Sequence, residues 1–193
     1  MLDVEIVLFE GFDELDAIAP YEVFQLAARR GGIDTELVTA EQTARIEARS
    51  GLRIEPDGSI SSSADMLLVP GGGWGDPDAA GVRREYERGE LPELLSERFE
   101  SGTAVASVCT GSLLLAAAGL LDGRPAVTHH TAREDLREMG IDVRKERFID
   151  DGAVLTAGGI TSGIDLALHI VERECSSEIA ESVAGELEYE RAI

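Results

Sequence analysis

Ala104-Val-Ala-Ser-Val-Cys-Thr-Gly-Ser-Leu-Leu-Leu-Ala-Ala-Ala118 joins an apolar strand-like run to an apolar helix-like run with only Cys109-Thr110-Gly111-Ser112 between them. A buried strand passing straight into a buried helix is the repeating step of a parallel sheet covered by helices. The turn between them must be tight, as in the strand-turn-helix elbows that lift a nucleophile above a sheet. Two effects then act on Cys109. The positive end of the helix dipole favours a thiolate, and unpaired backbone N–H groups nearby can hold an anion. The spacing therefore predicts a thiol that ionises well below the free value of about 8.5. The competing reading is a small buried cysteine filling space at a strand end.

Working outward, strands are expected over residues 4–9 (VEIVLF), 36–40, 66–69 (MLLV), 104–108 and 126–128, with hairpins at 44–47/52–55 and 143–149/153–156. The second hairpin is signalled by Asp150-Asp151-Gly152. Helices are expected over 13–29, 77–88, 91–100, 111–118, 132–139, 160–173 and 177–188. In the first, Leu15, Ile18, Val23 and Leu26 fall roughly on one face, while Pro20 is a cost that could kink it or begin a new turn. Strands alternating with helices predict an α/β fold, a mostly parallel sheet with helices on both faces, over a single domain spanning 1–193. In such sheets ligands bind beyond the carboxyl ends of the strands. Phe9-Glu10-Gly11, Pro70-Gly71-Gly72-Gly73 and Cys109-Thr110-Gly111 all end strands there. The N–H groups of Gly71 and Gly72, with that of Thr110, are candidates for an oxyanion hole; a turn needing positive φ reads equally well.

Composition limits the partners. Thirty-eight acidic residues against seventeen basic ones give a net charge of −21, and sixteen of the cations are Arg, with Lys145 the one lysine. Such a surface repels phosphate backbones and anionic lipid, so neither nucleic acid nor membrane is expected as a partner. Self-repulsion of this size favours high ionic strength, where the Debye length shrinks to a few ångström, and suggests a salt-rich, halophilic setting; an ordinary acidic protein is the alternative. No apolar run approaches the ~20 residues of a membrane span, and the first residues lack a basic start, so a cytoplasmic location is expected. Cys109 and Cys175 form no CxxC pair and no His/Cys/carboxylate spacing suits a metal, so neither a metal nor another cofactor is expected. Cys175 reads as inert, His169 as structural and His130 as exposed.

Five pieces taken in order carry a resemblance: Leu15-Asp16-(x)3-Pro20-(x)-Glu22-Val23-Phe24, Val69-Pro70-Gly71-Gly72, Ser107-Val108-Cys109-Thr110-Gly111-Ser112, Thr128-His129, and Leu155-Thr-Ala-Gly-Gly-Ile-Thr-Ser-Gly-Ile-Asp165. With them the chain resembles the DJ-1/PfpI superfamily over residues 4–189, and most of all its isonitrile hydratase branch. The resemblance implies a flavodoxin-like three-layer sandwich of the class I glutamine amidotransferase-like kind, commonly a homodimer, with a nucleophilic cysteine on the elbow. It carries catalytic roles onto Asp16, Cys109 and Thr110, and a substrate-positioning role onto His129. The implied reaction is addition of water to a small-molecule isonitrile, giving an N-substituted formamide. Peptidase-like relatives place His directly after the nucleophile, where this chain has Thr110. His130 stands where the hydratase branch tends to have Trp, and Trp74 is a candidate to line the mouth instead.

Two other functions compete. Glyoxalase- or deglycase-like chemistry on α-oxoaldehydes would use a Glu near the cysteine, where this chain offers Asp16. A non-enzymatic redox or ligand sensor would exploit the same accessible thiolate. Similar domains are fused to DNA readers in AraC-type regulators; the acidic charge and an ending at Ile193 argue for a free-standing domain.

Overall fold

The apolar run near the amino terminus forms β1 (Leu2–Leu8), whose last five residues are buried because helices cover both faces of the sheet. A computed structural model describes residues 1–191 of the chain. After β1 come α1 (Glu14–Ala28), β2 (Ile33–Thr39), a two-stranded ribbon of β3 (Ile46–Glu47) and β4 (Arg53–Ile54), and the short strand β5 (Gly58–Ser59). Next are β6 (Met66–Val69), α2 (Val82–Arg88), α3 (Glu90–Glu100), β7 (Ala104–Val108), a 3-10 turn at Cys109–Gly111 and α4 (Ser112–Ala117). The chain continues through β8 (Pro125–Ala126), α5 (Arg133–Glu138), β9 (Asp142–Val143), β10 (Phe148–Asp151), β11 (Val154–Ala157), α6 (Ser162–Glu174) and α7 (Ser177–Glu186).

Seven strands form the main sheet in the order β10-β11-β7-β6-β1-β2-β5. Every neighbouring pair is parallel except β10 with β11. From β1 the chain steps one way to β2, then returns to β6 and steps the other way to β7 and β11. Right-handed crossovers require the helices of these two excursions to lie on opposite faces. Accordingly α1 packs with α6 and α7, while α2, α3 and α4 pack together. The core between them is aliphatic, with Phe12 and Phe24 as its two large fully buried aromatic side chains. The reversal of direction falls between β1 and β6, and Cys109 follows the strand next to β6. That is where a crevice at the carboxyl ends belongs.

Several boundaries differ from expectation for local reasons. The strand expected over 143–149 divides: Val143 pairs with Ala126 in a small parallel ribbon, whereas Phe148–Asp151 pairs antiparallel with Val154–Ala157 in the main sheet. Helix α2 starts only at Val82, because Gly81 at φ 137° cannot be part of a helix. Pro20 does not restart α1, which runs through it from Glu14 to Ala28. The buried face of α1 is Asp16, Ala17, Pro20, Val23, Phe24, Leu26 and Ala27, while Leu15 is exposed. Thus the face inferred from apolar residues alone is rotated, because it leaves out Asp16.

Candidate active site

Cys109 adopts φ 59°, a left-handed conformation that costs a non-glycine residue about 1–3 kcal/mol. Its own backbone is clamped to hold it there. The Cys109 N–H donates to Gly158 O at 2.8 Å, and the Cys109 carbonyl accepts from Thr128 Oγ1 at 3.0 Å and Ser112 Oγ at 3.2 Å. An abrupt reversal between β7 and α4 thereby turns the thiol away from the sheet; the side chain is only 6 % exposed.

Asp16 comes to this thiol from α1 and is fully buried. Its Oδ2 accepts from Gly71 N at 3.0 Å, while Oδ1 has no partner in hydrogen-bond geometry among the described residues. The thiol and the carboxyl lie close enough for each to shift the other's ionisation. Burial pushes the Asp16 carboxyl up to about 7, with the charge of Asp13 adding to it and the Gly71 N–H and the thiol opposing. Burial likewise pushes the Cys109 thiol up to about 12, reinforced by Asp16, although the N–H groups of Ile160 and Thr110 favour its thiolate. The thiol expected to ionise below 8.5 is therefore overturned. Desolvation beside a carboxyl outweighs a short helix start, and both groups are held above their ordinary values.

The glycines have a different task from the one expected. The Gly71 N–H is engaged by Asp16, and the Gly72 N–H donates to Thr110 Oγ1 at 2.9 Å. Neither is left over for an oxyanion. A methyl group at Gly71 would stand 2.6 Å from Thr110 N and Oγ1 and 2.9 Å from Asp16 Oδ2, so this bare backbone is what lets α1 and the elbow meet. The amides facing the sulfur are those of Thr110 and Ile160. Ile160, itself at φ 33°, is the participant that sequence reasoning missed. Its signal was the Gly158-Gly159 pair directly after β11.

His129 is partly buried, and a methyl on Gly159 would come 2.7 Å from its Cδ2. Its Nδ1 lies 2.8 Å from Thr131 Oγ1 and accepts from Thr131 N at 3.4 Å, which leaves the proton for Nε2. Burial holds this imidazole below its ordinary value; the charges of His130 and Arg133 act the same way and Asp13 opposes. Trp74 donates to Asp135 Oδ2 at 2.7 Å and carries the Arg83 guanidinium 4.6 Å above its ring, tying the loop after β6 to the start of α5. His169 pairs with Asp150 at 2.7 Å, and Cys175 packs on Gly32, both away from the elbow. Cavities of about 400 Å³ lie over the ends of β1 and β2 rather than over the sulfur. Among the described residues no group of three or more His, Cys, Asp or Glu is placed to hold a metal, and no helix is long and apolar enough to cross a membrane.

Comparison with known proteins adds four findings. The DJ-1/PfpI family matches residues 3–173. Isonitrile hydratase of Pseudomonas putida is 33% identical over 190 residues, covering 97% of this chain and 78% of that protein. The HTH-type transcriptional regulator GbdR of Pseudomonas aeruginosa is 30% identical over 76% of this chain, which spans 39% of the regulator. Among solved structures, a ThiJ/PfpI family protein from Pseudomonas syringae superposes with a TM-score of 0.86 at 25% identity, covering all of this chain and 76% of that one.

Proposed function

The chain belongs to the DJ-1/PfpI family, and on that premise we propose that it hydrates small isonitriles to N-substituted formamides with Cys109 as nucleophile. The observation that carries this reading is the buried Asp16 carboxyl, one oxygen unpartnered, beside a thiol on a strained elbow. Asp16 as carboxylate takes the thiol proton as sulfur bonds to the terminal carbon of R–N≡C, and passes that proton to the same carbon. The product is a thioimidate, Cys109–S–CH=N–R. Water then adds across its C=N bond, the C–S bond breaks, sulfur recovers a proton through Asp16, and R–NH–CHO leaves. The Thr110 and Ile160 amides stabilise negative charge on sulfur at both ends of this cycle. Thr110 Oγ1, accepting from Gly72, keeps its own O–H for the substrate nitrogen.

Formamide release from an alkyl isonitrile, followed by NMR, tests the reading. Wild type turns over, Cys109→Ala does not, and Asp16→Asn loses roughly 10²–10⁴-fold in kcat. Because Asp16 must be ionised to accept the proton, kcat/KM rises with pH through about 7. Formamide no faster than the uncatalysed blank, or an active Cys109→Ala, would sink the proposal.

A further inference from the structure

Beyond His129, at the first position of α5, stands Arg133. Its Nε is buried without a hydrogen-bond partner, and the side chain makes no ion pair among the described residues. Arg98 has a like Nε, and what distinguishes Arg133 is its place beside His129, with the two acids that follow it in sequence engaged elsewhere. Glu134 pairs with Arg137 at 3.0 Å, and Asp135 accepts from Trp74. The guanidinium is close enough for its charge to disfavour protonation of His129. His129 in turn abuts Gly159, whose neighbour Ile160 points its N–H at the sulfur. A positive group without a counter-ion, partly desolvated and joined to the elbow through His129, is a site for an anion that arrives with the substrate.

We propose that Arg133 is a specificity-determining residue that selects substrates bearing a carboxylate or similar anionic substituent on the side away from the reacting carbon. This deepens the hydratase reading and rests on it for the identity of the reacting group. Preference for an anion can nevertheless be read without turnover. Iodoacetate and iodoacetamide alkylate Cys109 alike and differ in charge, so their rate ratio at matched salt and pH reports the field near the sulfur.

Arg133→Gln is expected to lower the iodoacetate-to-iodoacetamide ratio roughly 3- to 10-fold, while Arg133→Lys keeps most of it. The iodoacetamide rate itself checks that each variant holds the elbow in place. Isocyano carboxylates against their neutral esters supply the second arm, where Arg133→Gln should lose kcat/KM on the acids only. An unchanged ratio in Arg133→Gln overturns the inference even if isonitriles are hydrated. A lowered ratio with no hydration of any isonitrile keeps the anion site and removes the hydratase reading instead.

Discussion

Asp16 decides both the chemistry and part of the stability. A carboxyl that titrates near 3.8 in the unfolded chain and near 7 in the folded one binds its proton more tightly when folded. Stability is then full below pH 4 and is lost as pH rises through about 7, by up to about 4 kcal/mol. Asp16→Asn removes the ionisation and keeps an oxygen for the Gly71 N–H. It should be more stable than wild type at pH 8, by about 2–4 kcal/mol in urea, and equal to it at pH 4. Equal stability at pH 8 would show that the carboxylate carries no such strain. Pairing of Asp16 with Cys109 was legible only through the resemblance, since an acid in the first turn of a helix is otherwise unremarkable. The order in which the two groups ionise was not legible. It depends on burial, and no spacing in the sequence states how little solvent reaches the sulfur.

At the scale of elements, the strand-turn-helix at Ala104–Ala118 and the continuous apolar strands announced a parallel sheet, because burial on both faces leaves no alternation to read. Two-residue strands such as β5 and β8 were hidden or displaced, since their pairing is decided by neighbours far along the chain. The glycine turns were found but their use was misjudged, because which carbonyl lies opposite a glycine is a tertiary fact. Gly111 shows the point: a methyl there would stand 2.3 Å from Val69 O and 2.7 Å from Pro70 O, both backbone atoms that cannot swing aside. Gly111→Ala should therefore push the elbow off the end of β6, costing about 1–3 kcal/mol, a fall in Tm of roughly 3–10 °C, with loss of Cys109 alkylation selectivity. Gly185 in α7 has nothing within 4 Å of such a methyl, so Gly185→Ala should hold or slightly raise Tm. Equal Tm changes in the two variants would mean that the elbow is not wedged against β6.

Across the whole molecule the charge of −21 acts through particular neighbours. Parallel β1 and β2 set Asp3 opposite Asp34 and Glu5 opposite Glu36. Like charges directly opposite on adjacent strands are destabilising. Asp57 and Asp65 crowd the same edge, and both Asp3 and Glu36 are held above their ordinary values by burial and by these acids. Backbone N–H groups offset part of this: both Glu5 carboxylate oxygens accept from Ser61 N, Asp34 accepts from Thr35 N, Asp57 from Leu37 N and Asp65 from Asp3 N. Screening by salt weakens repulsion between partly exposed charges, so Tm should climb with KCl up to molar concentrations. A generic effect of salt on burial would raise Tm too, and local variants separate the causes. Asp34→Asn and Glu36→Gln should each raise Tm at low salt by roughly 1–4 °C and shrink the increment that KCl provides. If both variants climb as steeply as wild type, the dependence on salt comes from hydration of the surface as a whole and the β1–β2 edge is not its origin.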